Sequence, residues 1–170
     1  MRFHRAFFNI ILLGAALLAG CQTADDPKKE LTAIRFHMEA SRYGGDAKTE
    51  PVPIFREHPV LVNAQIAPFA DERDIDSAEV IDDMGSFAIR IHFNRHGTWM
   101  LENVTRNDPQ HRIAIFCVFD TQNRWLAAPR LSRPIADGIL TFTPDATREE
   151  ADRIVLGLNN AAAQIKKKTF

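Results

Sequence analysis

No apolar run in the 170-residue chain reaches the roughly 20 residues that a helix needs to cross a bilayer. Neither a membrane-spanning helix nor an intramembrane acid for a proton path is therefore predicted. Basic residues are not in excess either. The chain has 21 Lys and Arg against 22 Asp and Glu, which removes the electrostatic case for nucleic acid. A glycine-rich phosphate loop, a Ser-His-Asp order and a paired-carboxylate motif are all missing. Cysteine is scarce, at two residues, Cys21 and Cys117. Cys117 sits inside Ile113-Ala114-Ile115-Phe116-Cys117-Val118-Phe119, where a small buried hydrophobe is expected, and no base stands beside it in sequence. No reaction centre, metal or cofactor is expected from these shortages, and the chain reads as a non-enzyme.

The N-terminus carries the clearest message. Arg2 and Arg5 precede Ala6–Leu18, a nearly continuous apolar stretch of about 13 residues, too short for a span and fitting a secretory signal. Its end, Leu18-Ala19-Gly20-Cys21, resembles the lipobox of bacterial lipoproteins. That resemblance implies cleavage after residue 20 and acylation of Cys21. Each buried CH₂ contributes about 0.8 kcal/mol, so two or more chains hold firmly. Gln22 follows, where an Asp would resemble an inner-membrane retention signal, so an anchor in the outer membrane, facing the periplasm, is favoured over the inner. Removing residues 1–20 would take two arginines and no acid, leaving 19 basic and 22 acidic residues and a formal charge of −3. With Cys21 acylated, Cys117 would be the one thiol left and no intrachain disulfide could form.

The expected organisation is a signal peptide over 1–20, a lipidated cysteine and tether over 21–33, and a single domain over 34–170. Ile34 to Ala40 alternates, with Ile34, Phe36 and Met38 on one side and Arg35, His37 and Glu39 on a wet face, as in a strand. Ser41 to Glu57, rich in Gly, Pro and charge, reads as a loop and a candidate contact surface. Strands are expected at Val60–Asn63, Ser77–Asp82 and Ser86–Phe93, with Ala70–Asp74 a solvated turn and Asp83-Met84-Gly85 another. Asn94 reads as the N-cap of a helix to Arg106 facing inward with Met100, Leu101 and Val104. Gly97 inside it suggests close packing. Arg112–Phe119 is too apolar to alternate and fits a central strand. Trp125–Leu131 is extended, and Gly138–Phe142 is another strand. Thr147-Arg148-Glu149-Glu150 fits a capping box opening a helix over about 147–166. Strands with two separate helices define an α+β domain with a mostly antiparallel sheet.

The order of these pieces carries a resemblance. Ser86 to Phe93 leads into Asn94-x-x-Gly97 and a helix reaching Thr105. Then come Ala114-Ile115, Asp120, Ala128-Pro129, Pro134-Ile135, Gly138, and Phe142-Thr143 before Glu149-Glu150-Ala151. From about Val60 to Leu158 the chain resembles the head subdomain of the large periplasmic domain of SecD and SecDF, export-assisting membrane proteins of the Sec system. It departs where Ile139-Leu140-Thr141 replaces a second glycine, and where Pro144-Asp145-Ala146 lengthens the approach to the capping box. With the last residue at Phe170 and no membrane helix, the expectation is a head alone, hung on a lipid. A link to export follows only loosely, since one fold hosts many tasks.

Among other constellations, His92 and His96 are four apart but straddle the strand-to-helix junction at Asn94, so two surface histidines are expected instead of a metal pair. The acids from Asp71 to Asp83 lack the EF-hand pattern and read as a solvated face. Trp125 and Pro129 are the binding candidates, since an aromatic beside a proline-interrupted segment can be an interface anchor. The competing reading makes Trp125 a core residue closing the sheet. The functional expectation is a membrane-anchored module that binds protein partners in the envelope or the Sec system. The alternative is a small-ligand or cell-wall-binding lipoprotein, and a hydrolase is the weakest option.

Overall fold

A computed structural model describes residues 30–40, 48–55, 57–107 and 110–168. Strands β1 (Ala33–Met38), β2 (Thr49–Ile54), β3 (Val60–Gln65) and β4 (Ala70–Asp71) precede a single-turn 3-10 helix at Glu72–Asp74. Then follow β5 (Ile75–Asp83), β6 (Ser86–Phe93), helix α1 (Arg95–Asn107), β7 (Ile113–Phe119), β8 (Gln122–Ala127), β9 (Ile139–Phe142) and helix α2 (Arg148–Lys168). Every strand pairing is antiparallel, in three sheets ordered β4-β1-β7-β8, β2-β3 and β5-β6-β9. The domain is α+β with two helices, as expected.

The main core lies where the four-stranded sheet, the three-stranded sheet and the two helices meet. β1 contributes Ile34, Phe36 and Met38, β6 contributes Ile89, Ile91 and Phe93, and β7 contributes Ile113, Ile115, Cys117 and Phe119. Leu101 of α1 and Ala151, Ile154 and Leu158 of α2 complete it. Burying each large aliphatic side chain contributes about 1.5–3 kcal/mol, so this shared core is what joins the two sheets.

Local chemistry places the ends of the elements. Met84 and Gly85 both have positive φ, 43° and 85°, the type I′ geometry that matches the strand twist of the β5–β6 hairpin. Asn94 caps α1 by accepting from the Gly97 N–H at 3.0 Å. Thr147 Oγ1 accepts from the Glu150 N–H at 3.2 Å, and Glu150 Oε2 accepts from the Thr147 N–H at 2.8 Å. That reciprocal pair is the expected capping box of α2. Gly97 does permit close packing: a Cβ there would meet the Asp74 carbonyl oxygen at 2.6 Å.

Three expectations need correction. Residues 49–54 are not loop but β2, paired with β3 in spite of Pro51 and Pro53. The Ile66 N–H donates to the Lys48 carbonyl, which sets Glu50, Val52 and Ile54 as the bonded positions of the ladder. Both prolines therefore fall where an N–H would face outward, so they cost no bond and blunt the edge. Of the rest of that expected loop, residues 41–47 and 56 lie outside the described residues. Ala70–Asp74 is not a free turn either. Ala70 pairs with Phe36, and Asp71 and Asp74 form a capping box around the 3-10 turn. Finally, His37 is buried on the face expected to be wet, because the β2–β3 hairpin covers it.

The hairpin sits on the outer face of the four-stranded sheet. Val52, Ile54, Val62 and Ala64 pack on Ala114 and Ala128, with Trp125 against the cluster. β7 is thus buried on both faces over its first half, the physical reason its apolar run shows no alternation.

Candidate functional site

β9 is an edge strand, and its register fixes what it offers. The Phe93 N–H donates to the Gly138 carbonyl at 2.9 Å, so Gly138, Leu140 and Phe142 turn their main chain toward β6. Ile139 and Thr141 therefore turn theirs away from it. The Ile139 N–H is taken by Asp137 Oδ1 at 3.1 Å. Among the described residues, the main chain of Thr141 is left facing outward with no strand beside it.

That free edge opens into a groove. One half, about 650 Å³, runs between β9 and the segment 129–137, with Arg90 and His92 of β6 on its floor. The other half, about 320 Å³, is lined by Phe55, Ala88, Ala127, Ala128 and Phe142. Pro129 and Thr141 line both halves, so the two are one groove with β9 along its length.

The far wall is held firmly. The Pro129 carbonyl accepts from the Ile113 N–H at 3.1 Å, and the Leu131 N–H donates to the His111 carbonyl at 3.0 Å. At its other end the Ile135 N–H donates to Oγ1 of Thr105, a fully buried hydroxyl on α1. Gly138 starts β9 with φ +70°, and a Cβ there would meet Thr98 Oγ1 at 2.2 Å, so only glycine seats the strand against α1.

The groove is basic in a chain whose net charge is −1. Arg90, Arg130, Arg133 and His92 line its larger half with Asp137 the one acid there, and Asp83 lines the smaller half. Glu79, beside the floor, lies 3.0 Å from Arg90 Nη1 and 3.5 Å from His92 Nε2. Its carboxyl is held below the usual range by Arg90 first and His92 second. Arg130 and Arg133 are exposed, and among the described residues neither has a carboxylate within ion-pair reach.

The other candidates fall elsewhere. Trp125 is not an exposed anchor. It lies beneath the hairpin, with ring centroids 5.2 Å from His37 and 5.2 Å from Phe116. Pro129 does line the groove, so the two residues proposed as a pair serve different places. His92 turns to Glu79, whereas His96 Nδ1 lies 2.7 Å from Asp74 Oδ1 at the start of α1, so they do not converge. Cys117 is fully buried, and burial pushes its thiol up to about 12. Four of the seven acids from Asp71 to Asp83 lie on separate cations: Asp71 on Arg73, Asp76 on Lys166, Glu79 on Arg90 and Asp82 on Arg148. Cys21 lies outside the described residues.

Arg90, Arg130, Arg133 and Thr141 were not singled out from sequence. The available signal was Pro129-Arg130-Leu131-Ser132-Arg133-Pro134, two arginines between two prolines.

No family model matches this chain, and no curated protein matches it. Solved structures do. One, of a membrane component SecDF that enhances protein export, is 20% identical with a TM-score of 0.54, over 77% of this chain and 63% of that one. Another, of SecDF in a super-membrane-facing form, is 21% identical with a TM-score of 0.55, over 76% of this chain and 19% of that one. This chain thus spans less than two thirds of either. The fold is SecDF-like. No helix among the described residues is long and apolar enough to cross a membrane.

Proposed function

We propose that this chain is a lipid-anchored envelope protein whose SecDF-like domain binds an extended stretch of another polypeptide and catalyses no reaction. The outward-facing main chain of Thr141, at the centre of a groove, carries this reading. An edge strand with free donor and acceptor can take an added strand, main-chain bonds giving affinity and flanking pockets giving selectivity. The anchor rests on Leu18-Ala19-Gly20-Cys21, and the preference for the outer membrane, facing the periplasm, on Gln22 after it. The link to export rests on likeness in fold to SecDF structures, of which this chain spans less than two thirds.

The test is photo-crosslinking in living cells from position 141, with Cys21 intact and position 125, half-buried against the β2–β3 hairpin, as the control. Adducts to exported chains or Sec components at 141 and none at 125 are expected. Adducts to unrelated envelope proteins would keep the binding module and remove the export link. No adduct at 141, together with a melting temperature raised by wall fragments, would overturn the reading in favour of a small-ligand or wall-binding lipoprotein.

A further inference from the structure

We propose that the β9 groove selects extended peptide segments carrying acidic side chains, paired with the main chain at Thr141 and held by Arg130 and Arg133. The inference rests on the protein-binding reading above and adds the chemistry of the segment. Its ground is charge complementarity at one place in the molecule. Outside the groove, the arginines at 73, 106, 124, 148 and 153 are each paired with a carboxylate, and the exposed Arg35 and Arg95, which are not, line neither half of it. In the groove wall, Arg130 and Arg133 project from a segment anchored at Pro129, Leu131 and Ile135, and have no carboxylate beside them among the described residues.

Position and spacing agree with this. Side chains of an added strand alternate between two faces at period two, so one set overlies the outer face of the β5-β6-β9 sheet, where Arg90, His92 and Thr141 lie. A carboxylate on that set meets a floor that already holds one. Glu79 occupies Arg90 and His92, which leaves the wall arginines as the free positive groups. Asp137, whose Oδ1 accepts from the Ile139 N–H, is not ion-paired with either of them among the described residues. Neutral segments can pair with the same edge, but gain nothing from the wall. Basic segments meet like charge.

The test uses the full-length lipidated protein in detergent and three fluorescent peptides of one length and one alternating Thr/Val pattern, with Glu, Gln or Lys at two alternate positions. Fluorescence anisotropy at low salt should give binding about tenfold tighter for the Glu peptide than for the Gln peptide, an advantage that shrinks as salt is raised. The double substitution Arg130→Ala with Arg133→Ala, on exposed side chains, should cost the Glu peptide about tenfold and the Gln peptide far less, so that the two bind alike. Glu79→Gln, which frees Arg90, should strengthen Glu-peptide binding. Equal affinity for Glu and Gln peptides would overturn the acidic preference and leave the protein-binding reading standing. A preference that survives the double substitution would also overturn it, by placing the attraction outside the groove. Binding of none of the three would sink both readings together.

Discussion

Cys117 and His37 are both buried on β7 and β1, and burial acts on them in opposite senses. The Cys117 thiol is pushed up to about 12, so it stays protonated and unreactive while the core is closed. A thiol titration at pH 8 should find none in the native protein and one after unfolding in urea. Two would show that Cys21 is not acylated. His37 is held below its usual 6.5, first by burial, against the pull of its bond to the Gln65 carbonyl at 2.8 Å. As pH falls through about 6.5 the unfolded chain takes up a proton that the folded chain does not yet bind. Stability is therefore flat above that pH and declines from there toward the lowered folded value. The urea midpoint should drop more between pH 7.5 and 5.5 in the native protein than in His37→Asn, which keeps a donor near Gln65. Equal drops would show that the proton uptake lies elsewhere.

Elements whose signals are local were legible in the sequence, and elements that depend on a distant partner were not. The alternation of Ser86–Phe93, the Asn94 cap and the Thr147–Glu150 box are settled within a few residues, and all three stand as read. β2 was missed because prolines argue against a strand unless they fall on an outward edge, and the Lys48–Ile66 register decides that. His37 then follows, since its face is dry only under that hairpin. The groove needed both β8 and β9 to be edges, which no window of sequence contains. Helix α2 shows a further case. Gly157 looks like a weak point in a helix, yet a Cβ there would meet Thr32 Oγ1 at 2.2 Å and the Thr32 nitrogen at 2.9 Å. Alanine gains about 1 kcal/mol in helix propensity but overpacks the site, at a cost of about 1–3 kcal/mol. Gly157→Ala should lower stability by roughly 1 kcal/mol in urea unfolding, and adding Thr32→Ala should recover part of the loss. A more stable Gly157→Ala protein would mean that α2 can slide away from β1.

Taken whole, the molecule is two sheets joined through one core, with a hairpin over the back of the first and a basic groove where the two sheets leave their edges open. What closes this arrangement is distant in sequence. Thr32 lies against Gly157, Asn160 Nδ2 donates to the Glu30 carbonyl at 3.0 Å, and Ile34 pairs with Cys117. Chains dominated by such separations fold slowly, because loop-closure entropy must be met before contacts form. At about 5–20 residues per second, a ribosome takes on the order of 6–25 s to pass from Thr32 to Gly157. For that interval Ile34, Phe36 and Met38 present an apolar row without α2 to cover it, and until residues 113–119 are made it lacks β7 as well. The N-terminal strand is therefore the segment a holding chaperone would have to shield, until the last helix has been made.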